Sequence, residues 1–160
     1  CLLARVAAEM GFPLVTFRPC KVYGPGDRNF EYGPGGFLYS VLMGKPVRLY
    51  GNGSELRDHL FIEDLVQIVR HFVQNGEGGT YNLASGVSRT YQDLLAIIRT
   101  VTKKEFEIVH EDRTRLQVDQ TVDVSYLKQA VPGLNLTTLE QGVRETFRDM
   151  AQRLSEGALH

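Results

Sequence analysis

The sequence predicts an α/β fold, and three observations predict it. Short apolar runs alternate along the chain with segments whose apolar residues recur at helical spacing. The run from Leu14 to Phe17 is nearly continuously apolar and follows a helical pattern directly, as a buried parallel strand does. The chain has 160 residues of ordinary globular composition, 42% hydrophobic and 23% charged, enough for one core.

Leu2, Leu3, Val6 and Met10 share one helical face, and Gly11 is placed to end that helix. After the Leu14–Phe17 strand, the stretch from Tyr23 to Gly36 is rich in Gly and Pro and reads as loop. A helix is expected from about Phe37 to Met43, closed by Gly44, and a strand at Val47–Tyr50 before a Gly-Asn-Gly turn. His59–Ile62 is another short apolar segment. Glu63–Gln74 carries Leu65, Ile68, Val69 and Phe72 on an amphipathic stripe, ended by Gly76, Gly78 and Gly79. Thr80–Ala84 reads as a strand, and Thr90 opens a helix with Leu94, Leu95, Ile98 and Val101. Phe106–Val109 and Thr121–Val124 read as strands. A last helix runs from about Leu139 to Leu154, with Thr137 or Thr138 near its N-cap.

Composition excludes several classes of function. A net charge of −1 and a pI of about 6.5 give no basic footprint for nucleic acid. A diphosphate needs only one or two well-placed arginines, so the neutral balance leaves that ligand open. Cys1 and Cys20 make no disulfide framework, and the four histidines have no zinc-ligand spacing, so no metal is expected. No apolar run approaches a membrane span, and no signal peptide is read, so a cytoplasmic protein is the default. The chain opens without an initiator Met on a sequence that reads as mid-helix, as a truncated domain or partial reading frame would.

Three constellations carry chemistry. Arg18 to Gly26 leave a buried strand at its C-terminal end, where open α/β sheets bind ligands; a plain strand-to-loop exit explains them equally well. Leu49 to Leu65 hold the Gly-rich turn, which lets backbone approach a ligand, and then Arg57. The planar guanidinium suits a diphosphate, although a lone arginine is more often a surface residue. Asp58 reads either as a partner for Arg57 or as a turn residue. Arg113 and Arg115 lie in a polar stretch before Asp123–Lys128, where solvated arginines and a helix-start signal are a sufficient account.

In order and spacing these motifs resemble the C-terminal part of NAD-dependent epimerase/dehydratase proteins, the nucleotide-sugar branch of the extended short-chain dehydrogenases. The counterparts are Arg18–Pro25, Gly44–Pro46, Tyr50–Asp64, Tyr81–Ala84, Asp123–Lys128 and Leu139–Gly142, which together span nearly the whole chain. The resemblance implies the last part of a Rossmann-like sheet interleaved with a small mixed α/β substrate-binding region, residues 1–160 forming a single partial domain. It implies that Pro19 and Cys20 lie near the nicotinamide of NAD(P). Lys21 stands where the family usually has an Asn touching the sugar or phosphates. Leu49 and Tyr50 fall in a strand that lines the nucleotide base, largely through backbone groups. Arg57 matches the arginine that clamps the diphosphate of a nucleotide sugar, and Arg113 a second one, with Arg115 as its alternative.

The family's redox machinery has no counterpart in these residues. No glycine triplet fits Gly-x-x-Gly-x-x-Gly or Gly-x-Gly-x-x-Gly, and none of the seven tyrosines has Lys four positions on. The resemblance places Cys1 just downstream of the missing Tyr and Lys. The chain alone is therefore expected to be inactive and to bind no cofactor, its parent being an NAD(P)-dependent epimerase or dehydratase. Two other readings stay open: a stand-alone nucleotide-sugar-binding or structural module, and a fragment of a carbonyl reductase acting on a non-sugar substrate. With a bare sheet edge, the chain is expected to self-associate or to rearrange its strand order.

Overall fold

In the computed structural model, which describes residues 2–28, 30–75 and 78–159, eight short strands and six helices follow one another in the expected alternation. Helix α1 (Leu2–Met10) ends at Gly11, whose φ of +70° suits glycine, and Phe12 N donates back to the Ala7 carbonyl at 3.2 Å. Strand β1 (Val15–Pro19) follows, then β2 (Lys21–Tyr23), α2 (Gly33–Leu42) and β3 (Val47–Tyr50). Two-residue β4 (Leu56–Arg57) leads into β5 (His59–Phe61), and α3 (Ile62–Asn75) starts without a loop. The second half runs β6 (Gly79–Leu83), β7 (Arg89–Thr90), α4 (Tyr91–Thr102), β8 (Ile108–Glu111), α5 (Ser125–Ala130) and α6 (Leu139–Ser155).

The strands pair two by two. β1 lies parallel to β6 with Phe17 opposite Tyr81, β2 parallel to β5, and β3 parallel to β8. β4 and β7 form a short antiparallel ladder that sets Arg57 opposite Arg89. The parallel β1–β6 pair, with α3 in the crossover, is the arrangement expected of Rossmann-like connections.

Several boundaries differ from the sequence reading. The Tyr23–Gly36 stretch is not all loop, because α2 begins at Gly33 with Pro34 in its first turn. Proline there costs nothing, since a first-turn N–H has no helical partner, and burial of residues 33–38 holds the turn in place. The last sheet strand is Ile108–Glu111 rather than Phe106–Val109. Phe106 instead packs on the core and lies under the Arg99 guanidinium, 4.8 Å from its ring centroid.

Thr121–Val124 is not a strand. Its neighbourhood is held by side chains in place of a ladder: Ser88 Oγ donates to the Gln120 carbonyl at 2.8 Å, and Asn82 Nδ2 donates to the Asp123 carbonyl at 3.1 Å. Thr90 and Thr138 are the N-caps of α4 and α6, each in a capping box with Asp93 and Gln141. Thr137 bonds the buried Asp64 carboxylate instead, through its N–H at 2.9 Å and its hydroxyl at 2.8 Å. Gly76, Cys1 and His160 lie outside the described residues.

Two apolar clusters result. One gathers Phe37, Leu38, Leu49, Leu94, Ile98, Val143 and Met150 between β3, α2, α4 and α6. The other gathers Leu60, Ile68, Phe72, Tyr81, Leu83 and Leu127 around β6, α3 and α5. Asp58 is fully buried, and its carboxylate accepts from the Ser85 and Gly86 N–H groups, both at 2.8 Å. It is neither a partner for Arg57 nor a turn residue on the surface.

Candidate functional site

The candidate site is built where β3, β4 and the segment after β8 converge. Strand alternation buries Val47 and Leu49 and turns Arg48 and Tyr50 outward. Leu49 therefore contributes no side chain to a pocket, whereas Tyr50 does. The following turn holds Gly51 and Gly53 at φ of +64° and +77°. A Cβ on Gly51 would collide with the Arg113 side chain, and one on Gly53 with Leu49 and Gln92. The space that glycine leaves in this turn is filled by protein side chains, not held open for a ligand.

Arg57 and Arg113, far apart in sequence, meet across one carboxylate. Glu55 pairs with the Arg57 guanidinium and lies 3.1 Å from Arg113 Nη2. All three side chains are less than one-fifth exposed, so their charges interact through a medium drier than bulk water. Arg57 is fixed further by donating to the carbonyls of Leu56, at 2.7 Å, and of Val118. Arg113 Nη2 keeps the ion pair but has no well-aligned hydrogen bond. With Tyr50, Arg115, Leu116 and Val118 these groups line an open pocket of about 670 Å³. The structure thus brings together Tyr50, Arg57, Arg113 and the alternative Arg115.

An aromatic step extends from this pocket. The Tyr32 hydroxyl accepts from Tyr50 N–H at 3.3 Å, and its ring centroid lies 5.3 Å from that of Tyr50 and 4.8 Å from that of Tyr91. Lys21 donates to the Tyr91 hydroxyl at 3.4 Å. Burial, and then the positive charge of Arg57, hold Lys21 below the ordinary lysine range. Burial, with the Tyr32 hydroxyl adding to it, pushes the Tyr91 hydroxyl up to about 12, against the pull of Arg57. Buried His59 stands edge-on to Tyr23 and Tyr91, both its ring nitrogens without a hydrogen-bond partner. Burial, with Lys21 beside it, holds its imidazole at about 4, so it is neutral at pH 7.

Pro19 and Cys20 line a different pocket, of about 280 Å³, with Arg18, Asn82 and residues 120–123. Burial, and then Asp58, whose Oδ1 accepts from Sγ at 3.6 Å, push the Cys20 thiol up to about 12. It is no nucleophile at neutral pH. Among the residues that line this pocket there is no glycine to let backbone approach a pyrophosphate.

Sequence reasoning missed Glu55, Tyr32, Tyr91 and His59. Glu55 had a local signal, an acid two residues before an arginine in a Gly-rich segment. The aromatics had none, since their partners lie on other elements. Among the described residues no group of three or more His, Cys, Asp or Glu is placed to hold a metal ion. No described helix is long and apolar enough to cross a membrane.

Comparison with known proteins places these features in a wider set. The model of the NAD dependent epimerase/dehydratase family matches residues 2–84. A dTDP-glucose 4,6-dehydratase of Neisseria gonorrhoeae is 28% identical over 143 residues, covering 74% of this chain and 40% of that protein. An ADP-L-glycero-D-manno-heptose-6-epimerase of Nitratidesulfovibrio vulgaris is 29% identical over 105 residues, covering 62% of this chain and 32% of that protein. Among solved structures, the UDP-glucose 4-epimerase of Thermotoga maritima, in complex with UDP-glucose, superposes with a TM-score of 0.85 at 25% identity. That match covers 96% of this chain and 50% of the other. The chain spans half or less of the length of these relatives.

Proposed function

The chain belongs to the NAD-dependent epimerase/dehydratase family, and we propose that it supplies the nucleotide-sugar-binding part of such an enzyme. The observation that carries this reading is the pair of arginines, Arg57 and Arg113, bridged by Glu55 and opening on the pocket beside Tyr50. Two half-dry guanidinium groups, already oriented by a shared carboxylate, offer parallel donors to the two phosphates of a nucleoside diphosphate. Glu55 limits their mutual repulsion while the pocket is without an anion. Tyr50 and Tyr32 give the base an aromatic wall, and Lys21 reaches the sugar side.

NAD(P), when bound in the intact protein, exchanges a hydride with a sugar carbon. The present residues contribute Pro19 and Cys20 at the nicotinamide end. The glycine turn and the Tyr-x-x-x-Lys pair are not among these 160 residues, so the chain alone is expected to show no NAD-dependent turnover.

Titration calorimetry of the chain with UDP-glucose and dTDP-glucose tests the binding claim. Arg57→Ala should weaken whichever ligand binds by roughly ten- to a hundredfold, the worth of a charged hydrogen-bond pair. Unchanged affinity in that variant would sink the clamp. Turnover by the isolated chain would sink the division of labour.

A further inference from the structure

We infer that the chain carries a second ligand site, separate from the arginine pair, which takes a small carboxylate on an apolar body and meets it with His59 and Arg89.

The site is a cavity of about 380 Å³ between the loop that follows β6, Arg89 of β7, Ile97 of α4 and the start of α6. It shares no lining residue with the pocket of Arg57 and Arg113. His59 forms part of its wall. The side chain is 6% exposed, and neither ring nitrogen has a hydrogen-bond partner among the described residues. Tyr23 and Tyr91 meet it edge-on, which packs the ring without bonding its nitrogens. The neighbouring polar side chains of the cavity are engaged elsewhere. Ser85 Oγ donates to the Val87 carbonyl at 3.2 Å, the Thr137 hydroxyl to Asp64 at 2.8 Å and the Thr138 hydroxyl to Gln141 at 2.8 Å. Glu140 is paired with Arg144 of its own helix at 2.8 Å. A buried polar group with no protein partner is the exception in folded chains, and here it borders a cavity.

The rest of the wall selects the ligand. His59 is neutral at pH 7, and Glu140 and Arg144 offset each other, so exposed Arg89 supplies the one positive charge. One charge suits a monoanion, and a planar guanidinium suits a carboxylate, to which it gives two parallel hydrogen bonds. Leu139 and Glu140 are the first residues of α6, so their N–H groups have no partner within the helix and favour an anion as well. Val87, Ile97, Leu136 and Leu139 make the remaining wall apolar. Phosphate oxygens turned toward those side chains would lose hydration with nothing to replace it, whereas a hydrocarbon body gains by leaving water.

The test titrates the chain with benzoate, acetate and inorganic phosphate while NMR follows the His59 imidazole resonances. Benzoate should shift them saturably, and acetate, which lacks the apolar body, should bind about fivefold or more weakly. Arg89→Ala should weaken benzoate roughly tenfold while leaving the urea midpoint and UDP-glucose affinity in place. Four results would overturn the inference: His59 resonances that none of the three anions moves, acetate or phosphate binding as tightly as benzoate, benzoate affinity unchanged in Arg89→Ala, or displacement of benzoate by UDP-glucose.

Discussion

The half of the molecule built on β3, α2, α4 and α6 closes over its own core, whereas the half built on β1, β6, α1 and α3 leaves apolar surface in solvent. In the first, Leu38, Val47, Leu94, Ile98, Val143 and Met150 are completely covered by neighbouring elements of this chain. In the second, Leu2 and Met10 of α1 are 77% and 72% exposed, and Val73 of α3 is 78% exposed. Among the described residues β1 has a single strand neighbour, β6, and it shows Thr16 and Arg18 to solvent. Parallel strands normally carry cover on both faces, and a two-stranded pair is marginal by itself. The difference teaches where the chain is self-sufficient: the half that holds the arginine pair finds its packing locally, and the sheet half leaves apolar side chains of α1 and α3 in solvent.

The largest expected consequence is self-association through the open half. Sedimentation velocity on the chain should show dimers or larger species at high concentration, and Leu3→Glu with Val73→Glu should reduce them. A monomer at every concentration would break the comparison.

Core truncations should then differ between the halves. Leu94→Ala, at a fully buried position, should cost about 3 kcal/mol in urea unfolding, and Phe17→Ala, at a half-covered one, about 1 kcal/mol. Equal losses would mean that the open half is as tightly packed as the closed one.

Acid should act on the dry side of the closed half. Burial holds His59 at about 4, below the ordinary imidazole value. Between about pH 6.5 and pH 4 the unfolded chain takes up a proton that the folded chain refuses, so stability falls as pH drops through that window. The loss is at most about 3 kcal/mol. His59→Phe should flatten this part of the pH–stability curve, measured by urea midpoints, and a parallel curve would show that His59 is not its source.

The smallest effect belongs to the α6 cap. Thr138→Ala removes the hydroxyl that accepts from Gln141 N–H at 3.3 Å and should cost about 1 kcal/mol. A cost below measurement would mean that packing of Val143 and Met150 alone holds the helix start.

How much of this was legible beforehand varied by element. The Leu65, Ile68, Val69 and Phe72 stripe foretold α3 almost to the residue, because helical periodicity is written locally. The Gly/Pro stretch hid the start of α2, since burial of Gly33 to Phe37 overrode the reading of those residues as loop. Thr121–Val124 had the composition of a strand, but its neighbourhood is held by the Ser88 and Asn82 side chains in place of a ladder, contacts that local composition does not show. At the site, Arg57 and Arg113 were named from their motifs, and the fold did bring them to one pocket. Leu49 was named with Tyr50, but strand alternation turns its side chain into the core.

By itself the sequence determined the alternation of helices and strands, the family resemblance, and the absence of a glycine triplet or Tyr-x-x-x-Lys pair in these residues, because each is a matter of local spacing. Only the tertiary structure decided that Glu55 bridges two arginines, that the buried Asp58 carboxylate takes the Ser85 and Gly86 N–H groups, and that Lys21 has Tyr91 and Arg57 for neighbours. Those facts depend on which distant segments approach, and that approach is set by how the two cores pack.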